Sequence, residues 1–134
     1  MINLYINMIN FLLTFIGLGI IIPIDILYLY TNKNFYTPII DPNEKINWIY
    51  ALSTWLLIII SIQLLVLNKL DVNLSESFYN GIYLGLAIYG VYNLTSASIY
   101  PSKWSSEIII GDTLWGMFIV GCMSSIMYKI KNVI

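Results

Sequence analysis

Residues 48–67 read WIYALSTWLLIIISIQLLVL, twenty positions without a charged side chain. A helix crosses about 30 Å of hydrocarbon in about 20 residues, at 1.5 Å per residue, so the run is long enough to span a bilayer. A membrane β-strand would instead alternate in polarity over segments of about ten residues, and Leu56 to Ile60 is apolar on every side. Three further apolar stretches flank this one: about Leu4 to Tyr30, about Phe78 to Ile99, and about Ile108 to Tyr128. The expected fold class is therefore all-α, an integral membrane four-helix bundle, with residues 1–134 as a single transmembrane domain.

Composition agrees with lipid as the solvent. Of 134 residues 59% are hydrophobic and 10% charged, where soluble domains carry about 25% charged, and the mean hydropathy is +0.81. A net charge of -1 offers no basic field for nucleic acid. The chain has no His and one Cys, Cys122, which excludes a His/Cys zinc site, a disulfide within the chain and a His base. No catalytic residue, metal or cofactor is assigned. The connections Thr31–Asn47, Asn68–Ser77 and Tyr100–Glu107 hold the turn and charge residues and are too short to fold alone.

The first stretch lacks a leading Lys or Arg and exceeds the about 7–15 apolar residues of a signal peptide, so it reads as a mature helix, with a kink expected near Pro23. Four crossings put both termini on one side. Lys69, Lys129 and Lys131 there balance Lys33, Lys45 and Lys103 opposite; Lys129 and Lys131, with no acidic neighbour, favour a cytoplasmic placement of the termini. Asn73-Leu74-Ser75 fits a glycosylation acceptor. Tyr28, Tyr30, Phe35, Tyr36, Trp48, Tyr50, Tyr100 and Trp104 cluster where helices leave the lipid and read as an anchoring belt.

Polar groups at membrane depth carry the functional information. Asp25, Asn93 with Thr95 and Ser96, and Asp112 all fall roughly 6–10 Å below the surface that carries the first and third connections. Gly81, Gly85, Tyr89, Asn93 and Ala97 recur every fourth residue, and Asp112, Trp115, Gly116 and Ile119 share a helical face. These faces should look inward, with Gly81, Gly85, Gly116 and Gly121 as helix-packing positions. No Lys, Arg or His lies in a membrane segment. Each carboxyl must then be protonated, hydrogen-bonded to neutral donors, wetted, or balanced by a cation. The candidate polar or ion-binding cluster is Asp25, Tyr89, Tyr92, Asn93, Thr95, Ser96, Asp112 and Trp115. It reads first as interhelical glue, second as a proton or cation site, and third as a two-carboxylate hydrolytic site. Met117, Cys122, Met123 and Met127 read as packing, and Ser124 and Ser125 as bonded back to the preceding turn.

The block Gly81-Ile-Tyr-Leu-Gly-Leu-Ala-Ile-Tyr-Gly-Val-Tyr-Asn-Leu-Thr-Ser96, then Trp104, then Asp112-Thr-Leu-Trp-Gly116, resembles the uncharacterised family of small predicted membrane proteins known as domain of unknown function 2177. Asp25-Ile-Leu-Tyr-Leu29 and Phe35-Tyr36 are similar to two earlier elements of that family. The likeness covers nearly the whole chain. Asn93 and Ser96 stand where the family has Asp and Asn, and Tyr28 where it has Trp. The resemblance implies four helices and membrane residence, and brings no activity with it.

The expected function is a non-enzymatic structural or assembly component of a membrane. The Ile- and Asn-rich composition, with Lys as the only basic residue, fits an AT-rich genome, as of an intracellular bacterium, a protist or a large DNA virus; in a virus the expected place is the internal membrane beneath a capsid. Besides the lipid bilayer, the expected partners are a second copy of the chain or membrane or capsid scaffold proteins. The alternative is a small proton- or cation-linked transporter or channel subunit. A membrane enzyme acting on a lipid or isoprenoid head group ranks last, because no Arg or His is present to hold a phosphate.

Overall fold

A computed structural model describes residues 9–134. The elements are α1 (Phe11–Thr31), a short α2 (Lys33–Tyr36), α3 (Trp48–Ser61) running directly into a π-helical segment (Ile62–Leu67), α4 (Leu74–Ile99) and α5 (Ser106–Lys131). Among the described residues there is no strand. Among them, four helices are long and apolar enough to cross a membrane, the second being α3 together with the π segment. Only 17–39% of each apolar window is buried inside the protein, and Phe11, Phe15, Tyr83 and Phe118 point outward. A water-soluble bundle would not leave such faces bare; lipid covers them.

Local capping chemistry sets the helix starts. Within the described residues α1 begins at Phe11, where the Asn10 side chain accepts the Leu13 N–H at 3.0 Å; the expected start near Leu4 lies outside the described residues. The helix continues through Pro23, which is exposed. The third span starts at Leu74, four residues before the expected Phe78. There Asn73 and Glu76 form a capping box, with Asn73 Oδ1 accepting the Glu76 N–H at 3.0 Å and Glu76 Oε2 accepting the Asn73 N–H at 3.2 Å. The residue that heads the glycosylation sequon thus serves as a helix cap. Asn73→Ala is expected to lower stability by about 1 kcal/mol, read as a lower thermal midpoint, with Asn73→Ser close to wild type. The fourth span starts at Ser106, where the Ser105 hydroxyl accepts the Ile108 N–H at 3.3 Å.

The buried core joins three spans, through Leu13 and Ile21 of α1, Ile58 and Ile59 of α3 with Ile62 of the π segment, and Val120, Met123 and Met127 of α5, while Leu84 and Ile88 of α4 pack against it partly buried. In the π segment Ile62, Gln63, Val66 and Leu67 are all buried. Gln63 is anchored there by donating to Thr14 Oγ1 at 2.7 Å and accepting the Asn10 N–H at 2.9 Å. A lone amide in an apolar span has to find such partners, because hydrocarbon supplies none.

The closest packing is between α4 and α5. A Cβ on Gly81 would lie 2.8 Å from the Val120 carbonyl oxygen, one on Gly85 2.8 Å from Met117 Cα, one on Gly116 2.7 Å from Tyr89 Cβ, and one on Gly121 2.9 Å from Ile82 Cγ1. The backbones therefore approach to a distance only glycine permits. Ser124, read above as bonded back to its own helix, is instead fully buried against Gly81, and among the described residues its hydroxyl has no hydrogen-bond partner.

Candidate functional site

Counting residues places the polar groups. Asp25 lies six residues before the end of α1, Asn93 six before the end of α4, Asp112 six after the start of α5, and Trp55 seven after the start of α3. At 1.5 Å per residue each sits about 9–10 Å from its helix end. Neighbouring spans run in opposite directions, so these ends share one side and all four spans deliver a polar side chain to one level.

Asp25 is half-buried, and both its oxygens are taken by indoles. Trp55 Nε1 donates to Oδ2 and Trp115 Nε1 to Oδ1, each at 2.9 Å. An indole N–H donates only, and a buried one needs an acceptor, so one carboxylate satisfies two tryptophans while tying α1 to α3 and α5. Asp112, also half-buried, takes the Tyr36 hydroxyl on Oδ1 at 2.7 Å and Asn93 Nδ2 on Oδ2 at 2.8 Å.

Asn93 is 1% exposed and uses both ends of its amide. Its Nδ2 also donates to the Tyr89 carbonyl at 2.9 Å, and its Oδ1 accepts Trp104 Nε1 at 2.9 Å. Asn93 thus ties α4 to α5 and to the third connection.

The short α2 belongs to the site. Tyr36 is 4% exposed, and the Phe35 ring sits where a Cβ on Gly111 would be, 2.8 Å from Phe35 Cζ. The Tyr36 hydroxyl is hydrogen-bonded to that of Tyr28 at 3.3 Å, and the Tyr28 ring stacks on Trp115 with centroids 3.8 Å apart. Burial first, then the Tyr28 hydroxyl and the Asp112 carboxylate, push the Tyr36 phenol well up from its ordinary value, so it stays a protonated donor. Asp25, Trp115, Tyr28, Tyr36, Asp112 and Asn93 form one continuous network.

Beside this network α4 packs along α5 and against the π segment, while α3 packs on α1. Between the outer halves of α3 and α4 lies a cavity of about 370 Å³. Its lining is Asp25 and Leu29 of α1, Thr54 and Ile58 of α3, Ile88, Tyr89 and Tyr92 of α4, and Asp112 and Trp115 of α5. A second cavity of about 570 Å³ lies against Trp48, Trp55, Tyr36, Asn93 and a set of aliphatic side chains, and shares Leu29, Tyr92 and Asp112 with the first. No Lys lines either cavity. Among the described residues no group of three or more His, Cys, Asp or Glu is placed to hold a metal.

Of the residues singled out from sequence, Asp25, Tyr89, Tyr92, Asp112 and Trp115 line one cavity, and Asn93 joins them through Asp112. Tyr89 contributes its ring against Gly116 and its carbonyl to Asn93. Ser96 lies beside the Tyr92 hydroxyl. Thr95 is exposed, and its carbonyl accepts the Ser98 hydroxyl. Four donors or stacking partners went unassigned: Tyr28, Tyr36, Trp55 and Trp104. Three of them read as interfacial anchors. Trp55 carried a signal of its own, since an indole in mid-span must find an acceptor.

Residues 7–129 match the model of a family described as predicted membrane protein (DUF2177). No curated protein and no solved structure matches the chain.

Proposed function

We propose, for a chain that belongs to the DUF2177 family of predicted membrane proteins, a non-enzymatic structural or assembly role in a membrane, with the donors around Asp25 and Asp112 fixing the four spans in one register. One observation carries this reading: each of the four carboxylate oxygens accepts a hydrogen bond from a neutral donor on a different element. Bonds of this kind act as interhelical glue, worth about 0.6 kcal/mol each on average, and directional partners select one arrangement among many apolar ones. The chain is an integral multi-pass membrane protein. With almost nothing outside the bilayer, it works through its short connections, which meet a second copy of itself or membrane or capsid scaffold proteins. An AT-rich genome, as of an intracellular bacterium, a protist or a large DNA virus, suits the composition; in a virus the chain would belong to the internal membrane, and Lys129 and Lys131 favour termini on the cytoplasmic side.

The second reading, a small proton- or cation-linked transporter or channel subunit, draws on the cavity that both aspartates line. Flux assays on purified protein in liposomes separate the two. The structural role predicts no proton or cation flux for the wild type, reduced folding yield for Asp25→Asn and Asp112→Asn, and copurification of a partner or a second copy from native membrane. Wild-type flux that both variants lose would replace it with transport.

A further inference from the structure

The cavity between α3 and α4 has three properties that together define an occupant. First, its mouth lies at membrane depth. Thr54 and Tyr92 at its lips are exposed, six residues into α3 and seven before the end of α4, and exposed Leu29 closes the α1 side. With Thr54 and Tyr92 about 9–10 Å from their helix ends, this part of the opening would face acyl chains in a bilayer, while Leu29, two residues before the end of α1, marks its headgroup end. Second, its inner wall carries two carboxylates and no basic side chain. Each carboxylate oxygen already accepts one hydrogen bond from the protein and keeps a second lone pair for another donor. Third, Tyr89, Tyr92 and Trp115 share that lining; one Trp115 face is stacked on Tyr28, and open aromatic faces attract ammonium groups. Acceptors and π faces without any cation complement a positive head group. The absence of Lys from the lining leaves nothing to hold a phosphate.

We infer that this cleft binds the ammonium group of a phosphate-free lipophilic amine that enters from the bilayer, its head between Asp25 and Asp112 and its chain running out between α3 and α4. The inference rests on the proposed reading of the donor network as a fixed scaffold, since only held carboxylates keep a cleft shaped without its ligand.

The test titrates the purified full chain in dodecyl maltoside micelles with octylammonium, reading tryptophan fluorescence, because Trp115 lines the cleft. Octanol and octyl sulfate serve as probes of equal chain length. Thr54→Phe fills the mouth without removing a carboxylate or any of its donors; the Thr54 hydroxyl donates to the Tyr50 carbonyl of its own helix. Saturable binding of octylammonium alone, weakened at least tenfold in Thr54→Phe, is the expected result. Equal binding of octanol, no saturation with octylammonium, or wild-type affinity in a helical Thr54→Phe protein would overturn the inference. Should Thr54→Phe lose helicity, Leu29→Phe on the facing lip takes its place with the same expectation. Thermal midpoints of Asp25→Asn keep the two failures apart. An unchanged midpoint defeats the scaffold reading, whereas a lowered midpoint with no octylammonium binding defeats this inference alone.

Discussion

Gly85→Val is expected to abolish the folded state, seen as loss of the monodisperse peak and of cooperative unfolding in purified protein. A Cβ at position 85 would fall on the Gly116 carbonyl and within 2.8 Å of Met117 Cα. Both obstacles are main chain of a neighbouring helix, so no rotamer change relieves them and α4 must move away from α5. Overpacking a core usually costs about 1–3 kcal/mol when side chains can yield; here the whole interface separates, and the buried surface of Gly81, Gly116, Gly121 and Ser124 is lost with it. Gly19→Val is the matched control. Among the described residues nothing lies within 4 Å of a Cβ built on Gly19, so that variant should fold like the wild type. Equal behaviour of the two variants would contradict close backbone approach as the main source of α4–α5 affinity.

Asp112→Ala should have the next largest effect, about 2 kcal/mol. Its loss takes the short-bond acceptor from two buried residues, leaving the Tyr36 hydroxyl the longer contact to Tyr28 at 3.3 Å and the Asn93 amide the one to Thr113 Oγ1 at 3.4 Å, and a buried donor deprived of its acceptor costs about 1–3 kcal/mol. Asn93 keeps its bond to the Tyr89 carbonyl, which holds the total near the middle of the range. Released from Asp112, α2 should loosen, so proteolysis within residues 31–47 should rise well above wild type. Tyr36→Phe closes the cycle: because it removes one of the two stranded donors, the double variant should cost less than the sum of the singles. Strict additivity would mean that Tyr36 and Asp112 do not bond. Steric contact outweighs any single hydrogen bond in this fold, and the hydrogen bonds choose the register within it.

The four spans and the depth of Asp25, Asn93 and Asp112 were legible in the chain because both follow from counting residues at a fixed rise. The donors were harder to read. Tyr28, Tyr36 and Trp104 sit where aromatic residues commonly anchor a helix at the headgroups, and composition does not say which hydroxyl or indole turns inward. In the structure α2 folds back so that Phe35 fills the notch at Gly111 and carries Tyr36 down to Asp112, a tertiary event without a periodic signature. The π turn at Ile62–Leu67 was equally silent, since Ile-Gln-Leu-Leu-Val-Leu has the same apolar character in either helical form. Asn73 and Glu76, by contrast, announced an earlier start for α4 through the spacing of a capping box; the apolar run alone pointed to Phe78.

That uncharged donors from other spans grip the two aspartates is tested most directly by the indole N–H resonances of the four tryptophans, recorded by NMR on protein in micelles and assigned by Trp→Phe substitution. Removal of the Asp25 carboxylate in Asp25→Ala should move the Trp55 and Trp115 signals together toward the position of unbonded indoles, leaving Trp48 and Trp104 in place. Signals of Trp55 and Trp115 that stay put in the variant would contradict the hydrogen-bonded centre on which the proposed role depends.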